Sequence, residues 1–216
     1  ADPVHAQLRC LLALASGEAG ASDAPTFAPP ASGAATEFSS LLATGPAEEY
    51  AERRAKIGPD TVAKVLFTSG STGHPKGVVN THRMLCSNQQ ALAQLWPFLY
   101  EKRPVILDWL PWSHTFGANH NFNLVLTHGG TLYIDEGKPA PGLIEKTIAN
   151  LREVSPTLIF NVPRGYDMLL PYLEADAALR ESFCRNLDLI FYSGAALPQH
   201  LWERLEAVAV QVRGAR

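Results

Sequence analysis

The chain has 216 residues, 46% of them hydrophobic and 18% charged, enough for one substantial core. A formal net charge of −3 with no basic stripe excludes a nucleic-acid footprint, and no apolar run approaches the ~18 residues of a membrane-spanning helix. Cys10, Cys86 and Cys184 are odd in number and show no paired spacing, which argues against a disulfide framework or a zinc site and for a reducing, cytoplasmic compartment.

In chain order, residues 4–15 carry Leu8, Leu11, Leu12 and Ala15 near helical spacing. The stretch 16–36 is rich in Gly, Ala, Ser and Pro, buries little, and is expected to be a flexible linker. Helical character returns over 38–56 around Leu41, Leu42, Tyr50 and Ala51, interrupted at Gly45-Pro46. A strand is predicted over 62–67 and a short extended piece over 77–80. Thr81 then caps a helix that carries Leu85, Leu92, Leu95 and Trp96 and ends by Pro97. A strand over 105–110, a loop over 111–117 and a helix over 119–127 follow, the last stopped by Gly129-Gly130. The series closes with strand 131–134, helix 143–153, strand 157–162, helices within 165–183, strand 187–192 and helix 198–208. This alternation predicts an α/β fold, a largely parallel sheet with helices on both faces.

The most informative segment is Thr68-Ser69-Gly70-Ser71-Thr72-Gly73-His74-Pro75-Lys76-Gly77, directly behind the apolar run Val65-Leu66-Phe67. Glycines bring the backbone close to a ligand, and successive N–H groups and hydroxyls form a concavity whose usual guest is an anion. Lys76 adds a point charge, and Lys64, His74, His82 and Arg83 crowd the same stretch. The loop is not a Walker A motif, because Pro75 precedes and Gly77 follows the lysine, and no serine stands at the centre of G-x-S-x-G. Residues 68–77, 111–117 and 193–196 all follow predicted strands. In open α/β sheets ligands bind beyond the carboxyl ends of strands, so one shared site is expected.

The decapeptide resembles the phosphate-binding signature of the adenylate-forming enzymes, which include acyl-CoA synthetases, luciferases and the adenylation domains of peptide synthetases. Trp109-Leu110-Pro111-Trp112-Ser113-His114-Thr115-Phe116-Gly117 is similar to that family's acyl-pocket segment. Phe191-Tyr192-Ser193-Gly194-Ala195-Ala196-Leu197 is similar to the strand end that lies along adenine and acyl group. The wording from His114 to Phe122, with Asn161-Val162-Pro163-Arg164-Gly165, most resembles feruloyl-CoA synthetases. The likeness runs from Gly58 to about Val208.

That resemblance implies activation of an aromatic, hydroxycinnamate-like acid such as ferulate by ATP, with transfer of the acyl group to CoA. Thr68, Ser69, Ser71 and Thr72 then bond phosphate oxygens, Gly70 and Gly73 allow close backbone approach, and Lys76 follows the departing pyrophosphate. Mg²⁺ is expected with the phosphates. His114 is expected beside the acyl carboxylate. Phe116, Asn121, Val162, Pro163 and Tyr166 are expected to line the acid pocket, and Gly194 and Ala195 to be small so that adenine and acyl group pass. His114, His120 and His128 have no metal-site spacing, and no protein-built metal site is expected.

The chain opens on Ala1-Asp2-Pro3 without Met and is expected to be an internal piece of a longer protein. Residues 1–57 are then a partial N-terminal segment, and 58–216 an α/β nucleotide- and acyl-binding core that stops before the C-terminal domain. The family's Tyr-Gly-x-Thr-Glu-like stretch, ribose-binding Asp and mobile catalytic Lys domain fall outside the chain, so the isolated chain is expected to be inactive. The other readings are a non-catalytic nucleotide- or acid-binding module of the same fold, and an unrelated phosphate-binding α/β protein.

Overall fold

The two extended segments flanking the Ser/Gly-rich run are separated by only residues 69–75, too few for the crossover that parallel strands require, so they must return antiparallel. The computed structural model, which describes residues 49–68 and 76–214, has that geometry. A short helix α1 (Tyr50–Ala55) precedes β1 (Val62–Thr68) and β2 (Lys76–Thr81), which pair from Val62↔Thr81 to Thr68↔Lys76. The strand before the Ser/Gly-rich loop thus pairs in a two-stranded sheet of its own. The elements predicted over 4–15 and 16–36, and the start of the helical character from Phe38, lie outside the described residues. So do Ser69, Gly70, Ser71, Thr72 and Gly73.

The described residues fall into two compact units that divide after Met84, and each is described by itself. In the first, Arg83 forms a two-pronged ion pair with Asp60 at 2.7 and 2.8 Å, closing the turn that leads into β1. The Thr81 hydroxyl accepts the Met84 N–H at 3.4 Å, the predicted cap of α2 (His82–Leu95), which runs on into the second unit.

The second unit is a four-stranded parallel sheet. Its strands are β3 (Val105–Asp108), β4 (Thr131–Ile134), β5 (Leu158–Asn161) and β6 (Leu189–Tyr192), in spatial order β4-β3-β5-β6. The helices α3 (Asn123–His128), α4 (Ile144–Glu153), α5 (Pro163–Ala175), α6 (Ala177–Arg185) and α7 (Gln199–Arg213) surround it. Strands covered on both faces must be apolar at successive positions, as Ile106-Leu107 and Leu158-Ile159-Phe160 are.

The alternation of side chains splits the interior into two cores. Leu107 and Ile159 face an aliphatic core with Ile144, Ile148 and Leu151 of α4, Leu169, Leu170 and Leu173 of α5, Phe183 of α6, and Leu201, Leu205 and Val208 of α7. Ile106, Leu158 and Phe160 face the other core, with Leu92, Phe116 and Leu124. Helices on both faces were expected, and both faces are covered.

Element boundaries differ from expectation where side chains intervene. β3 stops at Asp108 because its Oδ1 accepts the Leu110 N–H at 3.0 Å, turning the chain out of the sheet two residues early. The helix expected over 119–127 begins instead as a π-helical turn at Phe116–Phe122, then continues as α3 to the left-handed Gly129 (φ 63°). Tyr166, expected on the acid pocket, is a core residue. It has no exposed surface, its hydroxyl donates to the Phe191 carbonyl at 2.6 Å, with the Ile159 carbonyl at 3.2 Å, and burial raises its pKa well above the ordinary tyrosine value.

Candidate functional site

Three chain segments leave the carboxyl edge of the parallel sheet, and one residue ties them together. Asn161, last residue of β5, is buried and accepts through Oδ1 from the Trp109 indole N–H at 3.2 Å and from the Val162 N–H at 2.8 Å. Its main-chain carbonyl accepts the Ser193 N–H at 3.2 Å. The exits of β3, β5 and β6 are thereby held at one point. Gly165, in the first turn of α5, makes room for this amide, since a Cβ there would overlap the Asn161 side chain.

A second polar group anchors the π turn. Buried Asp108 accepts the Asn121 amide at 2.9 Å, and Asn121 in turn lies 2.8 Å from His120 Nδ1. Burial is the main cause that pushes the Asp108 carboxyl up to about 6. The hydrogen bonds from Asn121 and Leu110 oppose the rise, and the charge of Asp135 adds to it. Asp135 itself is satisfied by Gly137 N–H at 2.8 Å, the Thr147 hydroxyl at 2.6 Å and the Asn150 amide at 2.9 Å. Asn121, expected to line the pocket, has no exposed surface; its place is behind the π turn, between Asp108 and His120.

His114 lies exposed on the loop before this turn, and its Nδ1 accepts the Phe116 N–H at 3.1 Å. In the neutral ring the accepting Nδ1 leaves the proton on Nε2, so the exposed imidazole presents an N–H donor. Phe116 is buried, its ring centroid 5.9 Å from that of Phe191 and 5.6 Å from that of His120. Gly117 lets the turn pack against the exit of β3, where a Cβ would strike the Leu110 and Pro111 carbonyls. Val162 is half-buried and next to Gly194, where a Cβ would stand 3.7 Å from Val162 Cγ1. Gly194 has φ +90°, a conformation that disfavours any side chain, and both it and Ala195 are exposed. The second unit thus brings His114, Phe116, Val162, Gly194 and Ala195 to one edge of one sheet.

In the first unit, Thr68 and Lys76 are opposed across the end of the hairpin, both exposed. Among the described residues Lys76 forms no ion pair, and no group of three His, Cys, Asp or Glu gathers that could hold a metal ion. His128 stands edge-on to the Tyr100 ring at 6.0 Å, away from the π turn that holds His120. Sequence reasoning passed over Asn161 and Asp108 as site residues. Each ends an otherwise apolar strand, and that polar end to a buried run was the available signal.

The sequence pattern of the family described as "AMP-binding enzyme" matches residues 5–214. A 3-[(3aS,4S,7aS)-7a-methyl-1,5-dioxo-octahydro-1H-inden-4-yl]propanoyl:CoA ligase of Rhodococcus jostii (strain RHA1) is 28% identical over 175 residues, 79% of this chain and 32% of the relative. A mitochondrial malonate–CoA ligase of Mus musculus is 30% identical over 152 residues, 67% of this chain and 26% of the relative. Among solved structures, a malonyl-CoA ligase ternary product complex with methylmalonyl-CoA and AMP bound superimposes with a TM-score of 0.59 at 29% identity, covering 70% of this chain and 31% of that one. The chain spans about a third or less of the length of the curated relatives it matches.

Two outcomes follow from the polar anchors. Asn161→Ala leaves two N–H donors without their acceptor and should cost about 1–3 kcal/mol for each that stays buried. Gly165→Ala should destabilise the wild type by roughly 1–3 kcal/mol through overlap with Asn161, yet be neutral or stabilising in the Asn161→Ala background, where only its helix propensity remains. Urea unfolding of the two single variants and the double variant measures this, and costs additive within ~0.5 kcal/mol would break the account.

The second outcome concerns pH. A carboxyl whose folded pKa is about 6 keeps its proton between about pH 4 and 6, where the unfolded chain has lost it. Asp108 therefore lowers stability as pH rises through that window, by ~3 kcal/mol at about 1.36 kcal/mol per pH unit. Asp108→Asn removes this component. The wild-type-minus-variant difference in unfolding free energy should fall by that amount between pH 4 and pH 7, and an equal difference at both would refute it.

Proposed function

The chain belongs to the AMP-binding enzyme family, and from that premise we propose that it supplies the nucleotide- and acid-binding core, residues 58–216, of a longer ATP-dependent acid–thiol ligase. The reaction joins a carboxylate to the α-phosphate of ATP with loss of pyrophosphate, after which the thiol of CoA takes the acyl group and AMP leaves. Two anions must first be brought together, so the protein's task is to neutralise charge and align the reactants.

The observation that carries this reading is the convergence of His114, Phe116, Val162 and Gly194 on one sheet edge, locked at Asn161. The Nε2–H of His114 is a donor suited to a carboxylate oxygen. The strip Gly194-Ala195 is open and small, which suits the flat edge of adenine. Thr68, Lys76 and the intervening Ser69, Gly70, Ser71, Thr72 and Gly73 are assigned to the phosphates, with Lys76 following the pyrophosphate. Mg²⁺ bound with ATP would offset the charge of the phosphates.

Phe116 packs against the rings of His120 and Phe191, and this ring cluster supports an aromatic, hydroxycinnamate-like acid such as ferulate. The free thiols Cys86 and Cys184 suit a cytoplasmic location, and no described helix is long and apolar enough to cross a membrane.

In the longer ligase, Lys76→Ala should lower the rate of acid-dependent ATP–pyrophosphate exchange by about 10²-fold, with little change in acid binding, because the charge acts on phosphoryl oxygens. An unchanged rate would remove the lysine from the site. Full ATP binding without exchange in the wild type would point to a non-catalytic binding module. Phe116→Ala should reorder the kcat/KM ranking among hydroxycinnamate-like acids while ATP affinity stays nearly constant. Unaltered selectivity with collapsed ATP binding would place the acid pocket elsewhere.

A further inference from the structure

We propose that Asp108, Asn121 and His120 form a proton-operated relay in which Asp108 is a positioning residue. Ionised, Asp108 holds the His120 proton on Nδ1; protonated, it turns the Asn121 amide over and transfers the His120 proton to Nε2. The relay lies within the second unit and is independent of which acid the ligase takes.

An ionised carboxylate only accepts hydrogen bonds. Asp108 Oδ1 takes the Leu110 N–H at 3.0 Å, and Oδ2 takes the Asn121 amide nitrogen at 2.9 Å. The Asn121 oxygen is thereby turned toward His120, whose Nδ1 lies 2.8 Å away and must donate to it. In a neutral ring Nε2 then keeps a lone pair. That nitrogen is buried and without a hydrogen-bond partner, so the ionised state carries an unsatisfied acceptor.

Proton uptake reverses each link. Oδ1 stays engaged with Leu110, so the new proton sits on Oδ2, facing the Asn121 amide nitrogen. Two donors then oppose each other in a buried site. Turning over the amide, whose two ends are nearly the same shape, removes the conflict without repacking. The amide oxygen now accepts from Asp108, and the amide nitrogen donates to His120 Nδ1. The imidazole loses a proton at Nδ1, gains one at Nε2 and stays neutral, so the net uptake is one proton, on Asp108. The new Nε2–H lies among the rings of Phe160, Phe116 and Trp96, whose faces are weak acceptors.

The surroundings confine the response to these side chains. Gln89 of α2 donates to the carbonyls of Asn119 and His120 at 2.8 and 3.3 Å, pinning the backbone of the π turn. Asp135, at the exit of β4, is the charged neighbour acting on Asp108, and its charge favours protonation. Among the described residues neither carboxylate forms an ion pair. His120 is faced by Phe116 of the π turn, Phe160 of β5, Phe191 of β6 and Trp96 beyond α2, none of which titrates. Burial keeps the imidazole neutral, whereas it pushes Asp108 up to about 6, so the carboxyl takes the proton first as pH falls.

Long-range 1H–15N correlation on the chain with 15N-labelled histidine tests the relay. His120 should be protonated on Nδ1 at pH 7.5 and on Nε2 at pH 4.5, with the changeover near pH 6. Asp108→Asn keeps the acceptor for Leu110 and offers Asn121 a permanent donor, so His120 should carry its proton on Nε2 at both pH values. Asn121→Ala removes the middle link, and His120 should then show one tautomer throughout. The proposal is overturned by an unchanged tautomer in the wild type, or by both nitrogens protonated at pH 4.5. A proton on Nδ1 in Asp108→Asn, or a changeover that survives Asn121→Ala, overturns it equally. The wild-type titration needs no substitution, so it decides the matter even if a variant does not fold.

Discussion

The Asn161 amide is the constraint on which the candidate site depends. A parallel sheet leaves the exits of its strands to loops, and loops keep their geometry only where polar groups are paired. One oxygen at the end of an inner strand receives an indole N–H from the β3 exit and a backbone N–H from its own. The carbonyl of the same residue receives the β6 exit. An apolar residue there would pack as well and keep the carbonyl bond to Ser193, but would lose both bonds to the side-chain oxygen. Gly165 is the companion to this choice, because the amide occupies the volume in which a side chain on α5 would sit.

Asp108 plays the corresponding part for the π turn, at a cost. Placing a carboxyl 5% exposed at the end of an apolar strand raises its pKa and removes stability at neutral pH. In return its acceptors fix the Leu110 N–H, which ends β3, and the Asn121 amide, which orients His120. A single buried charge thus determines where the strand stops and which nitrogen of a histidine six residues beyond His114 carries the proton.

The two faces of the sheet divide the work. The face holding Leu107 and Ile159 is packed by α4, α5, α6 and α7 with aliphatic side chains, and Tyr166 pins β5 to β6 from within it. The opposite face adds a ring cluster to its aliphatic residues, with Phe116, His120, Phe160, Phe191 and Trp96 linked by ring contacts. Aliphatic packing is adaptable and gives stability, whereas rings present rigid flat walls.

Much of this was legible in the amino-acid sequence. The strand Thr131–Ile134 and the helix starting beside Leu143 stand where the apolar spacing puts them, and the α/β class follows from alternation alone. The Ser/Gly-rich decapeptide carries the family, since local spacing of glycines, hydroxyls and a lysine is itself the chemistry. Tertiary structure alone decided the rest. Whether Tyr166 lines a pocket or fills a core depends on which face of α5 meets the sheet, and a tyrosine suits both until its hydroxyl finds the Phe191 carbonyl. Whether the strand before the loop joins the parallel sheet depends on its pairing partner, which in this chain is the antiparallel β2. The roles of Asn161 and Asp108 depend on donors as far as 52 residues away in the chain, as Trp109 is from Asn161. A hydrogen bond between distant residues leaves no periodic mark in a sequence; only the folded chain brings donor and acceptor together.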